Sequence, residues 1–430
     1  MADVRLMTYA PGHFHAALIQ KEMYPGVSPR VHVYSPLDAD LLAHLGRIAA
    51  FNSRAVAPTS WEMEVHTGPQ SLSRLLQDRP GNVVVLSGRN RGKIDALLAA
   101  LEAGLHVLAD KPWVIRVEDL PRLSRALETA QQRGLIALDV MTERWEVTTQ
   151  LQRELLQDPA VFGTIEPGSE SQPSVVLESE HFLCKTVAGV PLRRPTWFFD
   201  TDQAGEGLSD VGTHLVDLVP WLLFPNQPIS LSEIELLRGS RIPTMISRAD
   251  FQKVTGEKEF PPALTERIIS AQLLYYCNNT LLYRLRGIHV WLCVSWAFEA
   301  APGQGDRHLA RFQGTLSSVE VRQGAVERFI PEVYIVPRQA GHHHSLRRAI
   351  EARLRLLQPR FSGVGLTDLG DKFRLEVPDR LRIGHEAHFA EVVRQFLAYL
   401  NEPSRLPSWE KSNMLAKYHV TTNGVELARQ

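Results

Sequence analysis

The sequence predicts an α/β protein that begins with a doubly wound parallel sheet and continues into an α+β domain with a large open mixed or antiparallel sheet. Short β-rich runs alternate with helical runs from residue 5 to about residue 139. Repeated β-then-α order is typical of a parallel sheet covered by helices on both faces. Beyond residue 139 long β-rich pieces dominate. We therefore expect two domains, over residues 1–140 and 141–430, the second with an extended C-terminal region.

The composition is that of an ordinary globular protein that acts on a small molecule. The 430 residues, 44% hydrophobic and 22% charged, suggest two or three domains. Because 47 basic residues balance 48 acidic ones, the composition argues against a nucleic-acid or anionic-membrane surface. The chain start shows no basic segment followed by an apolar one, so we expect a cytoplasmic protein. The three cysteines lack metal-type spacing, which favours reduced thiols.

The elements of the first domain follow from short apolar runs and helical spacing. The predicted strands are residues 5–9, 31–34, 83–86, 105–109 and 136–138, and the predicted helices are residues 16–23, 39–51, 70–77, 94–103 and 120–133. Their alternation gives the parallel sheet its strands and its covering helices.

The second domain is predicted to be rich in strands. A connecting helix over residues 143–156 precedes predicted strands at 161–165, 175–180, 234–238, 273–277, 280–285, 290–298, 310–316 and 319–322, and helical spacing returns at 385–400 and around 409–418. Strands joined by turns indicate an antiparallel or mixed sheet.

One strand ends directly at a lysine. Gly104 closes a helical pattern, and the apolar run over residues 105–109 then predicts a buried parallel strand. Because Pro112 disfavours the helical region for the residue before it, we expect Lys111 to be held extended at the carboxyl end of this strand. In open α/β sheets ligands bind at that end. A solvated loop lysine is the alternative.

The first strand-to-helix turn matches a dinucleotide fingerprint in part. That fingerprint places glycines at the tight turn, at the pyrophosphate approach and at the helix–strand contact. Here Gly12 fills the middle position, whereas Ala10 and His15 occupy the outer ones. A plain tight turn with core or capping histidines is therefore an open alternative.

The strand over residues 31–34 ends at Ser35, where an acidic residue commonly meets the adenosine ribose, and Asp38 comes slightly late. No arginine follows immediately, so we expect NAD, with NADP not excluded. A turn that includes Gly88 and Asn90 follows the strand over residues 83–86 and would overlook the same crevice, unless it is a solvated loop. The predicted cofactor-binding residues are Ala10, Gly12, His13, Phe14, Ser35, Gly88, Asn90, Asp110 and Lys111.

A second chemical stretch is a glycine-containing loop that runs into an apolar helix. Asp210, His214 and Asp217 are spaced four and three apart, so they share one helical face. Polar groups on such a helix need partners or a ligand. The alternatives are that Asp210 meets the helix dipole, with Ser209 as the cap, and that His214 is a satisfied core imidazole.

These two stretches resemble the Gfo/Idh/MocA family (glucose-fructose oxidoreductase, inositol dehydrogenase and relatives). The segment over residues 104–112 is similar to the family's strand ending in Glu-Lys-Pro, with Asp110 in place of the glutamate. The segment over residues 210–217 is similar to its Asp-x-x-x-His motif. The order and separation of the two motifs agree, and the likeness extends from the first strand to about Val219, with a looser echo in the tail.

The resemblance implies a Rossmann domain that binds a nicotinamide dinucleotide, followed by an α/β domain whose open sheet carries the substrate and often the oligomer interface. Lys111, Asp210 and His214 are the catalytic group it implies. This chain departs from the family in the missing outer glycines of the turn and in its longer C-terminal region.

The expected chemistry is oxidation of an alcohol without a metal. When hydride leaves a substrate carbon for nicotinamide, the attached hydroxyl must lose a proton. An imidazole, with an ordinary pKa of about 6.5, is suited to take that proton, which points to His214 with Asp210 as its orienting partner. Lys111 would stabilise developing alkoxide charge. Whether His214 or Lys111 is the base is open at this stage.

Further residues suit a sugar or cyclic polyol. The predicted substrate-binding residues are Lys111, Arg144, His181, Lys185, Trp197, Asp210 and His214. Ordinary packing is the alternative for each of the added four. Neither the consecutive histidines at 342–344 nor the pair at 385 and 388 has a metal-ligand spacing of the zinc His-Glu-x-x-His kind, so we expect no metal.

Three functions are open. The first is an NAD(P)-dependent oxidoreductase acting on a hydroxyl-bearing carbon of a sugar, sugar acid or polyol. The second is a redox-neutral NAD-dependent glycoside hydrolase or lyase that oxidises the sugar transiently. The third is a non-catalytic dinucleotide- or sugar-sensing protein, against which Lys111, Asp210 and His214 argue. A homo-oligomer is expected because an exposed sheet face needs covering.

Overall fold

The computed structural model of this protein describes residues 3–187 and 190–430 and divides into two compact units. The first unit runs to Thr142 and also contains Asp202–Gly205 and His385–Lys411. The second unit contains Glu143–Thr201, Glu206–Gly384 and Ser412–Gln430. Among the described residues, no helix has the length and apolarity needed to cross a membrane.

The first unit is built on a six-stranded sheet whose paired strands are all parallel. Its strands are β1 (Leu6–Tyr9), β2 (Arg30–Ser35), β3 (Glu62–Thr67), β4 (Val83–Leu86), β5 (His106–Ala109) and β6 (Ala137–Asp139), in the order β3-β2-β1-β4-β5-β6. The helices are α1 (His15–Leu18), α2 (Ala39–Ser53), α3 (Ser71–Asp78), α4 (Lys93–Glu102) and α5 (Leu120–Arg133). This strand order is that of dinucleotide-binding doubly wound sheets, so the predicted fold class is confirmed.

Two elements of this unit differ from the sequence prediction. Strand β3 was not predicted, because three polar residues alternate in it with Met63 and Val65, as suits an edge strand exposed to water. Helix α1 is four residues long rather than eight. The amides of Gln20 and Lys21 bond to carbonyls three residues back, which tightens the chain and ends the helix.

The rest of the chain adds twelve strands and seven helices among the described residues. The strands are β7 (Val175–Cys184), β8 (Thr186–Val187), β9 (Val190–Pro191), β10 (Ile234–Ile246), β11 (Ile268–Ile269), β12 (Gln272–Leu285), β13 (Ile288–Glu299), β14 (Arg307–Gln313), β15 (Ser317–Gln323), β16 (Glu332–Pro337), β17 (Gly365–Asp368) and β18 (Phe373–Glu376). The helices are α6 (Val147–Leu156), α7 (Thr201–Ala204), α8 (Val211–Leu223), α9 (Arg248–Thr255), α10 (His343–Leu357), α11 (His385–Asn401) and α12 (Glu410–Arg429).

Ten of these strands form one mixed sheet in the second unit. The order is β10-β12-β13-β7-β14-β15-β16-β18-β17, with β11 beside β12. Strands β13 and β7 run parallel, and the other described pairs are antiparallel. Helices α6 and α8 cover one face, and the hydrophobic core lies between them and the sheet. The predicted large mixed sheet is confirmed.

Side-chain hydrogen bonds explain where the strand predictions failed. Residues 273–277 and 280–285 belong to the single strand β12, because Asn278 and Asn279 are satisfied within the sheet. The Asn278 side chain donates to the carbonyl of Ile242 at 2.9 Å and accepts from the amide of Trp296 at 2.7 Å. Residues 161–165 form a turn rather than a strand, since the amides at 161 and 162 both bond to the carbonyl of Asp158. Strands β16, β17 and β18 were not predicted.

The first unit also contains part of the C-terminal region, namely His385–Lys411. Helix α11 packs on α1: Phe389 lies 4.6 Å from the ring of His15, and Lys21 forms an ion pair with Glu386. The predicted domain boundary placed all residues after 140 in the second domain, whereas His385–Lys411 belongs to the first unit. The physical reason is the apolar face of α11, which is buried on α1 and carries residues such as Phe396.

Candidate active site

The lysine after β5 is buried. Lys111 is 8% exposed and Asp110 is 5% exposed, and the peptide bond between Lys111 and Pro112 is cis. This position argues against the alternative of a solvated loop lysine. The strand therefore delivers an ammonium and a carboxylate side by side at its carboxyl end, where ligands of parallel sheets bind.

Three side chains from the segments that follow β1 and β4 contact the Asp110 carboxylate. Its Oδ2 lies 2.9 Å from Nδ1 of His15 and 3.4 Å from Nδ1 of His13, and Oγ of Ser87 donates to it at 3.2 Å. Burial would raise the pKa of Asp110, but His15, His13 and Lys93 hold that pKa well below its usual range. Asp110 is therefore an ionised anchor for these turns.

His15 complements that anchor. Burial lowers the pKa of His15 despite the neighbouring Asp110 carboxylate, so the imidazole is neutral at pH 7. Because the carboxylate only accepts hydrogen bonds, we assign the proton to Nδ1 of His15. His15 occupies the third glycine position of the fingerprint, and Asp110 replaces the family's glutamate. These two differences from the family pattern, at His15 and at Asp110, thus contact each other.

The turn after β1 keeps the tight geometry of the fingerprint although one of its glycines is an alanine. Ala10 adopts φ of +43°, in the left-handed region, at a cost of about 1–2 kcal/mol for a residue with a Cβ. The amide of Gly12 donates to the carbonyl of Ala10 at 2.8 Å. A Cβ placed on Gly88 would lie 2.4 Å from that same carbonyl oxygen. The backbones after β1 and β4 therefore pack too closely for any residue but glycine at 88.

Replacement of Gly88 by alanine should damage this turn. We expect Gly88→Ala to lower the free energy of unfolding by about 1–3 kcal/mol and to weaken dinucleotide affinity, because the new Cβ must displace backbone. Urea denaturation and dinucleotide titration would measure both effects. Gly46→Ala is the matched control: a Cβ there meets nothing within 4 Å, and in the exposed part of α2 it should stabilise by about 0.5–1 kcal/mol. Equal effects of the two variants would contradict the close approach at Gly88.

Lys93, a buried lysine that the sequence analysis did not single out, forms hydrogen bonds with the same loops. Nζ of Lys93 donates to Oδ1 of Asn90 at 2.7 Å and to the carbonyls of Asp110 and Pro112 at 2.9 and 3.1 Å. Asn90, predicted to bind the cofactor, also donates through Nδ2 to the carbonyl of Ala204 at 2.6 Å. A signal was available, since Lys93 opens α4 at the end where the helix dipole disfavours a cation.

The remaining predicted cofactor residues lie at the same strand ends. Ser35 ends β2 and is buried. Phe14 precedes α1 and packs between the rings of His13 and His15, at 4.6 and 4.5 Å. Asp38 caps α2 by accepting from the amide of Leu41 at 3.0 Å, so it serves the helix. The acidic side chain beside the turn is that of Asp40, 3.2 Å from the position of a Cβ on Gly12.

In the second unit, helix α8 carries the three predicted polar residues in two environments. Asp217 is buried and forms two 2.7 Å hydrogen bonds with Arg144 and one of 3.1 Å with Lys417. Burial alone would raise the pKa of Asp217, but Arg144 and Lys417 hold it well below its usual range. Arg144, predicted to bind substrate, is thus hydrogen-bonded to Asp217. The sequence analysis did not single out Lys417, because its partner lies 200 residues away.

Asp210 and His214 are half-buried at the start of the same helix. Asp210 directly precedes α8, and its side chain does not cap the helix. Ser209 instead contributes its carbonyl, which accepts from Oγ1 of Thr213 at 2.6 Å. The alternative in which Ser209 caps the helix is therefore not what the structure shows. Asp210 interacts electrostatically with Arg194 and Tyr275, which places these groups in one neighbourhood.

Two of the predicted substrate residues meet on one carboxylate. Nδ1 of His181 lies 3.0 Å from Oδ2 of Asp306, and Lys185 forms an ion pair with the same oxygen. Burial would raise the pKa of Asp306, but His181 and Lys185 lower it. The ring of Trp296 lies 4.9 Å from that of His181. The end of β7 and the start of β14 thus present an acceptor and two donors beside an aromatic ring.

Arg194 links this cluster to Asp210 and was not predicted. Its guanidinium packs over the rings of Phe198 and Trp296 at 4.6 and 5.0 Å and donates to the carbonyl of Leu183 at 2.9 Å. Burial lowers the pKa of Arg194, while Asp210 and Asp306 act in the opposite direction. The aromatic segment that follows Arg194 was the available signal. The predicted Trp197 is buried in this segment.

The strand order of the first unit and the mixed sheet of the second define a dinucleotide-binding oxidoreductase fold. Residues 151–429 match the family model described as "Putative oxidoreductase C terminal domain". A crystal structure of a "putative oxidoreductase" from Parabacteroides merdae shares 40% identity, with 100% of this chain and 98% of that chain covered and a TM-score of 0.97. The chain therefore belongs to the Gfo/Idh/MocA family of oxidoreductases, which confirms the resemblance.

More distant structures share the fold. GenD2 from gentamicin A biosynthesis, in complex with NAD, is 15% identical, with 100% and 95% of the two chains covered and a TM-score of 0.59. A 3-ketoreductase from Actinomadura kijaniata, in complex with NADP and TDP-benzene, is 14% identical, with 98% and 97% covered and a TM-score of 0.56. None of the curated proteins matches this sequence significantly.

Proposed function

We propose that this protein is an NAD(P)-dependent oxidoreductase that acts on a hydroxyl-bearing carbon of a sugar, sugar acid or polyol. The observation that carries the proposal is the buried Lys111 at the carboxyl end of β5, beside the Asp110 carboxylate, in a chain of this family. The fold relatives in complex with NAD or NADP support the cofactor. The carbohydrate class is supported by the polar cluster of the second unit.

The described residues fit a nicotinamide dinucleotide. Gly12, at the fingerprint position where the backbone approaches the pyrophosphate, has no Cβ, and the backbones at Ala10 and Gly88 pack closely beside it. Ser35, at the end of β2, and Asp40, beside the Gly12 turn, are the proposed partners of the adenosine ribose hydroxyls. A carboxylate there disfavours a 2′-phosphate, so NAD is the proposed cofactor in preference to NADP. When bound, the nicotinamide accepts or supplies the hydride.

Lys111, Asp210 and His214 are the proposed catalytic group. Lys111 would hold the reacting oxygen and stabilise its developing negative charge. His214 would take the hydroxyl proton, and Asp210, four residues before it, would orient the imidazole and stabilise its charged form. The position of each residue within its own unit and the family motif support this assignment.

The cluster of His181, Lys185 and Asp306 is the proposed substrate-binding surface of the second unit. The Asp306 carboxylate accepts hydrogen bonds, and the side-chain nitrogens of His181 and Lys185 donate them. This combination matches the alternating donors and acceptors of a polyol. An aromatic ring beside such groups, here Trp296, is the type of surface on which a sugar packs its C–H face. Arg144 is better explained as the partner of Asp217.

The decisive experiment combines a cofactor test with a substrate panel. Purified protein would be tested for dinucleotide binding and exposed to sugars, sugar acids, polyols and glycosides with NAD or NADP, while nicotinamide absorbance and product formation are followed together. Net NADH formation supports the proposal. Glycoside cleavage without net NADH would replace it with the redox-neutral hydrolase or lyase, and binding without turnover would replace it with a sensing role.

Lys111→Met should lower kcat by about 10²–10³-fold, because removal of one preorganised group that stabilises oxyanion charge has this effect. The substitution keeps the apolar stem, so the unfolding midpoint should change little. Steady-state kinetics with the substrate found above would measure the loss. Lys258→Ala, at an exposed position, is the control and should retain full activity. Full activity of Lys111→Met would remove Lys111 from the catalytic group.

A further inference from the structure

Two histidines and a glutamate meet at the edge of the six-stranded sheet, on strands β2 and β3. Nδ1 of His32 lies 3.3 Å from Nε2 of His66. One carboxylate oxygen of Glu64 lies 3.6 Å from His32 Nδ1, and the other lies 3.6 Å from His66 Nε2. One possible ligand atom from each of the three side chains lies within 4.8 Å of the other two.

Strand register creates this cluster. His32 pairs with Glu64 and Tyr34 pairs with His66 in the parallel ladder. Because side chains alternate between faces, residues two apart on a strand share a face, so all three groups project on the same side of the sheet. The neighbouring side chains position them: the ring of Tyr34 stacks on His66 at 4.3 Å, and the Tyr34 hydroxyl donates to Asp78 at 3.1 Å.

The spacing is that of ligands around a small cation. Zinc bonds to histidine nitrogen and carboxylate oxygen are about 2.0–2.2 Å long in tetrahedral sites, so neighbouring ligand atoms lie roughly 3.3–3.6 Å apart. The 3.3 Å between the two nitrogens, and the 3.6 Å from each nitrogen to a different oxygen of Glu64, fall in this range. Both imidazoles are largely shielded, at 14% and 13% exposure, whereas Glu64 is 49% exposed, which leaves a route to solvent.

The surrounding charges permit a cation. Arg30 faces Glu62 at 3.5 Å, and Arg74 faces Asp78 at 3.3 Å, so both guanidinium groups near the cluster have acidic partners.

We propose that His32, Glu64 and His66 bind one divalent transition-metal ion, with zinc as the best-fitting ion and the fourth position open to water. Two histidines and one carboxylate are a common zinc ligand set. Strand β3 is the outermost strand of its sheet and pairs with β2, so the ion would cross-link the edge strand to the sheet. The proposal is independent of the catalytic assignment.

The test is zinc titration of untagged, chelator-treated protein, followed by calorimetry and by the thermal unfolding midpoint. We expect one zinc ion per chain and a raised midpoint. His32→Ala and His66→Ala should each weaken zinc affinity at least about 10-fold, since each removes a direct ligand and changes to outer groups alone cost about 10–100-fold. Glu64→Gln tests the site at an exposed position where folding is not at risk.

The control is His343→Ala, which removes a histidine that lies 3.2 Å from Asp368 and that belongs to neither of the two possible metal-ligand groups found among the described residues. This variant should bind zinc as the parent does. X-ray absorption at the zinc edge should show nitrogen and oxygen ligands at about 2.0–2.2 Å. Absence of stoichiometric binding, or binding that survives all three ligand variants, would overturn the proposal. So would binding lost only with His15→Ala, which would place the ion at His13, His15 and Asp110.

Discussion

His214→Ala is expected to lower kcat/KM by about 10²–10⁴-fold, the range that a general acid or base contributes. The proposed base would be absent, so the substrate hydroxyl would have to release its proton to water. Added imidazole should restore part of the rate, because a free base can fill the space left by the ring. Dinucleotide affinity should be unchanged, since the predicted cofactor residues lie on the first unit.

The matched control for this experiment is His344→Ala, which removes a solvent-exposed imidazole at the start of α10. Its kcat/KM should equal that of the parent. A His214→Ala enzyme with full activity would show that the base is another group, and Lys111 would be the next residue to test. A loss of activity that imidazole does not rescue, together with a lowered unfolding midpoint, would instead indicate a structural role.

Asp217→Ala is expected to lower the free energy of unfolding by about 3–5 kcal/mol, the cost of removing one partner from a buried ion pair. The Arg144 and Lys417 side chains, 12% and 0% exposed, would then lose this carboxylate partner. Asp217→Asn should also destabilise, because it keeps the shape and loses the charge. Urea denaturation at pH 7 measures both, and Asp371→Ala, at an exposed aspartate, should have little effect.

The pH dependence of this effect has a definite sign. The pKa of Asp217 is depressed in the folded protein, so its contribution to stability is present above the unfolded-state pKa of about 3.9. That contribution is lost as the pH falls through the lower folded-state pKa. The difference in unfolding free energy between the parent and Asp217→Asn should therefore shrink below about pH 4. A difference that grows on acidification would contradict the assigned charge state.

Local patterns predicted most of the first unit because most of its strands are short, apolar and followed by a helix. The run Val83 to Leu86 is buried on both faces, and such continuous apolar runs are typical of central parallel strands. Strand β3 escaped prediction for the opposite reason. It lies at the sheet edge, and its polar residues Glu62, Glu64 and His66 interrupt the apolar run from which the other strands were predicted.

The polar network could not be predicted from spacing. Lys417 reaches Asp217 across 200 positions, and His15 reaches Asp110 across 95. Asn278 sits inside β12 because the sheet satisfies its side chain, although asparagine ordinarily indicates a turn. The tertiary fold determines which residues this far apart in the chain become partners.

The amino-acid order by itself determined most of the segments that form the parallel sheet and the residue at which β5 ends, and it predicted that Lys111 and an Asp-x-x-x-His segment form the proposed catalytic group. These are properties of neighbouring residues, set by periodicity, glycine and proline. Tertiary structure alone decided that Asp110 holds His15, that Arg144 serves Asp217, and that His32 and His66 face one another. Such contacts depend on strand register and on packing between distant segments, because burial makes each charged or polar group find a partner wherever the fold supplies one.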